Sequence, residues 1–148
     1  MRLEPLYRCT FEPTESWHVE LAGADGTEAQ GFLLVQGRSE GRLAGRLRAA
    51  NYPRQRTDGT LTPAFRGVLE TDDGATILFE WRGYGVASEG GPRRLVGSIT
   101  HLSDDGRYRW LNEVVCVLAG EVRPMEGGAF DVVLDVSELI WEPIEPGH

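Results

Sequence analysis

Glycine-bearing turn signals divide this chain into segments too short for helices of ordinary length. They are Ala24-Asp25-Gly26, Gln36-Gly37, Thr57-Asp58-Gly59, Thr71-Asp72-Asp73-Gly74, Glu89-Gly90-Gly91-Pro92, Asp104-Asp105-Gly106 and Glu126-Gly127-Gly128. The runs between them are rich in β-branched and aromatic residues and alternate apolar with polar, which is the pattern of successive antiparallel strands. The spacing predicts nine strands, near 3–11, 16–21, 29–36, 41–49, 63–71, 75–84, 94–101, 108–121 and 129–136. No segment carries a helical stripe of ten residues or more. Tyr108 to Val115 has partial i, i+3 spacing, but Val114, Val115 and Val117 are β-branched and favour a strand.

Nine strands joined by short turns, in a chain with 19 glycines, predict an all-β fold with little or no helix. A closed or nearly closed antiparallel barrel is expected, because closure removes exposed sheet edges; a sandwich is the alternative. The 148 residues suit one domain. We expect a single barrel over residues 1–142 and a loose, proline-punctuated tail over 143–148. The longest irregular stretch, Ala50 to Pro63, is long for a hairpin and is expected to fold over one barrel mouth.

Charge narrows the partners. Fifteen positive against 23 negative side chains leave −8. Such a surface repels phosphate backbones and anionic headgroups, so neither nucleic acid nor membrane is an expected partner. No apolar run is long enough to cross a bilayer as a helix. Arg2 and Pro5 stand where a signal peptide needs its apolar segment, so a cytoplasmic location is expected. Arg38, Arg42, Arg46, Arg48, Arg54 and Arg56 cluster either as an exposed basic strand face or as an anion clamp. All fifteen cations are arginine, and the absence of lysine removes Schiff-base chemistry and a phosphate-loop lysine together. Cys9 and Cys116 are expected as buried thiols. With no CxxC and no clustered histidines, no metal or other cofactor is expected.

Several motifs in order along the chain resemble the family called domain of unknown function 3237. They are Leu3-Glu4-Pro5-Leu6, Asp58-Gly59-Thr60, Leu69-Glu70-Thr71-Asp72-Asp73-Gly74-Ala75, Arg82-Gly83-Tyr84-Gly85 and Arg107-Tyr108-Arg109-Trp110-Leu111-Asn112. The resemblance implies a calycin- or lipocalin-like barrel with an interior open at one end, and no agreed catalytic residues. Some members of the family occur in natural-product pathways, which implies cofactor-free cyclisation or isomerisation of small organic molecules. The chain departs from the family's commoner form at Ala49-Ala50-Asn51-Tyr52-Pro53-Arg54 and at His101.

Side chains alternate between the inside and the outside of a barrel, so parity sorts the candidates. On the strand near 75–84, Ile77, Phe79 and Trp81 share one face, and Glu80, Arg82 and Tyr84 the other. Either the second set lies in solvent, or Glu80 and Tyr84 enter the lumen, where burial would bring the carboxyl into general acid–base range. His101, if it enters the lumen, is a group that titrates near neutral pH. Glu80, His101 and Tyr84 are therefore the candidate catalytic residues. Trp110 and Asn112 are expected to face inward and line the pocket, while Tyr52 and Arg54 could close the mouth and grip an anionic or phenolic group. His18 and terminal His148 are weaker candidates.

No nucleophile elbow, phosphate loop or dinucleotide fingerprint is present. The sequence therefore suggests a cofactor-independent lyase, isomerase or cyclase acting on a small hydrophobic or phenolic metabolite by acid–base chemistry. The alternatives are a non-catalytic ligand carrier, or a structural module forming a homodimer through an outer sheet face.

Overall fold

The structure is a computed structural model that describes residues 1–88 and 91–147; Glu89 and Gly90 of one expected turn, and His148, lie outside the described residues. The strands are β1 (Arg2–Gly23), β2 (Gly26–Gly41), β3 (Gly45–Asn51), β4 (Arg54–Gln55), β5 (Leu61–Thr62), β6 (Ala64–Thr71), β7 (Thr76–Val86), β8 (Arg93–Leu102), β9 (Val115–Pro124) and β10 (Phe130–Ile140). All pairings are antiparallel. The ring runs β1-β2-β3-β6-β7-β8-β9-β10 and returns to β1, a closed barrel. The short strands β4 and β5 form a flap that bridges β2 to β7 over one end.

Ten strands thus replace the nine expected, and three differences have clear causes. The stretches expected as separate strands near 3–11 and 16–21 form one long strand. Its register with β2 slips between Pro13 and Glu15, where Thr14 is an extra residue. The slip reverses parity: Tyr7, Cys9 and Phe11 point inward before it, and His18 points inward after it. The strand expected from 41 begins instead at Gly45, because Gly41 adopts φ +119° and the Arg42 amide donates to the Leu6 carbonyl at 2.9 Å.

The strand expected over 108–121 is also corrected, since it starts only at Val115. Arg109–Glu113 forms a 3₁₀ turn, in which the Leu111 amide donates to the Tyr108 carbonyl. The turn lets Leu111 drop into the barrel as a plug, and its side chain is completely buried. The burial gained by Leu111 outweighs the β preference of the neighbouring valines.

The inward residues split the barrel into a filled floor and an open mouth. Leu6, Leu43, Ile77 and Leu111 seal the floor. Above them Phe65 stacks on Trp81 at 4.3 Å between ring centroids, and Phe11 meets Phe65 edge-on at 5.4 Å. The void enclosed between these layers is only about 10 Å³, so the lower barrel is solid. Cys9 and Cys116 are buried free thiols in this layer, and burial pushes Cys9 up to about 12 and Cys116 up to about 11.

Two distant segments, the Asp72-Asp73-Gly74 turn and Arg107–Asn112, meet at the floor. Asp73, in the turn between β6 and β7, accepts from the Tyr108 hydroxyl at 2.6 Å. The Arg107 guanidinium donates to the Asp73 carbonyl at 2.9 Å and to both Asp105 carboxylate oxygens. This pairing holds the Asp105 carboxyl down at about 2. The Asp72-Asp73-Gly74 turn and the Arg107–Asn112 segment are therefore two halves of one clasp that keeps the Leu111 plug seated.

Gly83 and Gly97 face each other across β7 and β8. A Cβ on Gly83 would run into the Val96 carbonyl oxygen, and the Gly97 Cα would lie 2.7 Å from it. We expect Gly83→Ala to cost about 1–3 kcal/mol by overpacking. Gly106→Ala, with open space around it, should stay within about 0.5 kcal/mol of wild type. Urea denaturation of both variants checks the contrast.

Candidate functional site

The open end of the barrel holds an apolar cup of about 300 Å³. Its floor is the Phe65–Trp81 stack, and Leu33, Leu95, Phe130 and Val132 contribute to its walls. Pro53, Leu61 and Pro63 of the β4–β5 flap form part of the rim, so the long irregular loop does fold over a barrel mouth. The volume lies at the low end for small-molecule pockets.

Three polar side chains reach this otherwise apolar space: His18, Asn51 and Arg93. His18 enters because of the bulge at Thr14. Asn51, the last residue of β3, accepts the Ala64 amide through Oδ1 at 3.1 Å. A backbone N–H can only donate, so this contact fixes the amide orientation and leaves Nδ2 as the outstanding donor. Arg93 opens β8, is half-buried, and approaches the Gly59 and Gly85 carbonyls at 3.5 Å each, without a carboxylate partner among the described residues. The polar equipment of the cup thus consists of donors and one imidazole, which suits an apolar body carrying an acceptor or anionic oxygen.

The sequence-derived candidates do not meet at this cup. Glu80 and Tyr84 are exposed on the outer face of β7, and Glu80 pairs with Arg66 at 2.8 Å. Of the two readings, the one that puts them in solvent holds and the lumen alternative on which their candidacy rested is corrected, because Ile77, Phe79 and Trp81 take the inward parity and their burial fixes the strand's orientation. Tyr84 instead shares a shallow outer groove with Tyr52, Arg54 and Arg82. Tyr52 lies half-exposed outside the barrel with its ring edge-on to Phe32 at 5.1 Å. Arg54 is drawn toward Glu28, 3.9 Å away. Of the clustered arginines, Arg38, Arg48 and Arg56 are likewise exposed and paired, to Asp72, Glu70 and Asp58.

Trp110 and Asn112, expected to line the pocket, lie on the 3₁₀ turn outside the floor. The Arg42 guanidinium covers the Trp110 ring at 4.9 Å from its centroid. Asn112 accepts from the Ser103 amide at 2.8 Å and donates to the Ser103 carbonyl at 2.9 Å, bracing the backbone where β8 ends. Both residues hold the floor in place.

His101 does enter the lumen, but at the sealed end. Its Nε2 lies 2.8 Å from the Tyr7 hydroxyl, and its Nδ1 is buried without a partner. With Tyr7 donating to Nε2, only the Nδ1–H lacks a partner; the opposite arrangement would strand the tyrosine proton as well. Tyr7 therefore donates. Burial lowers the His101 pKa to about 4 and raises that of Tyr7 well above its ordinary value. The imidazole is neutral at pH 7.

Arg93 and Asn51 were not singled out from the sequence. Each stands at a strand terminus, where alternation gives no direction. His18 enters only because the two expected strands on either side of Pro13 form one strand with a bulge at Thr14. Among the described residues no group of three or more His, Cys, Asp or Glu side chains is placed to hold a metal ion. No helix among them is long and apolar enough to cross a membrane.

The match to solved structures agrees with this architecture. The chain is similar to a β-barrel-like protein from Acinetobacter baumannii, with a TM-score of 0.77 at 24% identity over 94% of this chain and 96% of that one. A protein of unknown function from Clostridium acetobutylicum gives a TM-score of 0.78 at 17% identity over 95% and 100%. An enzyme from Penicillium herquei gives 0.59 at 19% identity over 91% and 93%. At these identities the likeness is one of fold. No curated protein matches the chain. Residues 1–139 match the family model for proteins of unknown function 3237, and the chain belongs to that family.

The Tyr7–His101 pair makes a clear stability prediction. The unfolded histidine binds its proton near pH 6.5, whereas the folded one does so only near 4. Between those values the unfolded state holds more protons, so stability falls as pH drops from about 6.5 to about 4, by about 3 kcal/mol in total. The double variant Tyr7→Phe, His101→Leu should lose this contribution, which denaturant titrations at pH 7 and pH 4.5 will check. Tyr7→Phe alone leaves both ring nitrogens unpartnered and should cost about 1–3 kcal/mol at pH 7.

Proposed function

We propose that this protein binds a small, largely apolar organic molecule bearing a carboxylate, enolate or phenolic oxygen in the cup at the open mouth of the barrel. The observation that carries this reading is the chemistry of the cup itself. An aromatic floor and aliphatic walls enclose a space where Arg93 and the Asn51 amide are the polar groups able to donate. The ligand's apolar body would replace water against Phe65, Trp81 and Phe130, and its oxygen would meet Arg93. The half-buried guanidinium would gain a stronger acceptor than two carbonyls at 3.5 Å.

A cofactor-independent lyase, isomerase or cyclase is the second reading. It is favoured by the His18 imidazole at the cup and by the likeness of fold to a protein described as an enzyme. In this reading His18 moves a proton while Arg93 and Asn51 stabilise the enolate or phenolate that forms. Glu80, Tyr84 and His101 have no part in it.

Calorimetry with paired aromatic acids and their neutral amides tests the first reading. Arg93→Met should weaken the acids by about tenfold or more and leave the amides nearly unchanged. Val122→Phe, which fills the cup, should abolish binding of both. Equal loss for acids and amides in Arg93→Met would remove Arg93 as the recognition group. Recovery of chemically altered ligand, lost in His18→Gln, would promote the second reading over the first.

A further inference from the structure

Beyond Phe11, strand β1 leaves the ring. From Glu12 to Gly23 it has β2 along one edge and no strand among the described residues along the other. The bulge at Thr14 also turns the apolar residues of this segment outward. Trp17, Val19 and Leu21 are each more than half exposed, and with Phe32 they surround an outer cleft of about 410 Å³. Trp17 and Phe32 are in ring contact at 5.7 Å. An unpaired strand edge beside an exposed apolar stripe is a template for another strand. Between Thr14 and Gly23 there is neither proline nor arginine to blunt it.

We infer that this edge pairs with the same edge of a second copy of the chain, antiparallel, about a two-fold axis at Val19. The sequence of the segment selects both the occupant and the register. With the axis at Val19, Trp17 faces Leu21 of the second copy, and the two Val19 side chains meet on the apolar face. On the opposite face each His18 lies across from a Glu20, so both cross-strand polar pairs are complementary. Moving the axis one residue forward sets Glu20 against Glu20. Moving it one residue back sets His18 against His18 and places Leu21 opposite Glu15. Only the Val19 axis matches apolar with apolar and imidazole with carboxylate. Pro13, which has no N–H to donate, ends the ladder at the barrel wall. Because His18 also borders the cup, the second copy extends the wall beside the cup mouth.

Light scattering on the full-length protein should give twice the chain mass. Val19→Lys places two like charges on the axis and should return the protein to monomer. Val96→Lys, on the outer face of a strand paired on both sides, should leave the dimer intact. His18→Glu should weaken the dimer at least tenfold, and adding Glu20→Arg should restore it. Under mild oxidation Val19→Cys alone should form an interchain disulfide. Trp17→Cys should form one only when mixed with Leu21→Cys, because Cys9 and Cys116 are buried. A monomeric wild-type chain would overturn the inference, whether the edge is then bare or taken by an unrelated strand. So would a dimer that survives Val19→Lys, or cross-linking of Trp17→Cys with itself. Circular dichroism confirms that each variant is folded, and the readout is mass, so the result is independent of whether the cup binds any ligand.

Discussion

Closing eight strands into a ring forces the inward side chains of its lower half to pack against one another, because the wall there has no gap. At the floor this packing depends on a single plug, Leu111, held by a clasp between two distant turns. Asp73 accepts from Tyr108 while Arg107 reaches the Asp73 carbonyl, and Asn112 braces the end of β8. These residues carry much of the family's recognisable sequence. Their work is to seal one end of the vessel, while the other end stays open.

The sealed floor also explains why the buried histidine is no catalyst for a ligand in the cup. His101 and Tyr7 satisfy one another beneath a solid aromatic layer, and the space above them is too small for a substrate. The pair places a titratable group where only the folded state feels its burial. The cup is different in kind. It is open and apolar, with Arg93, Asn51 and His18 among its lining residues.

One inserted residue, Thr14, has effects on both faces of the same hairpin. It turns His18 toward the cup and Trp17, Val19 and Leu21 toward solvent. The inner consequence bears on the proposed ligand site and the outer one on the proposed self-association.

The sequence by itself determined the fold class and sorted β7 into its two faces. Turn spacing and alternation are local properties, and Ile77, Phe79 and Trp81 can be buried in only one orientation of their strand. It also carried the family through short contiguous motifs in order along the chain. Tertiary structure alone decided the site. The bulge at Thr14 reverses parity midway along a strand, and the 3₁₀ turn at Arg109–Glu113 exists because Leu111 has a hole to fill. Arg93, Asn51 and His18 come from strands far apart in sequence and meet only because the ring closes. Periodicity reports which side of a strand is apolar, but the partner that each side faces is fixed by closure.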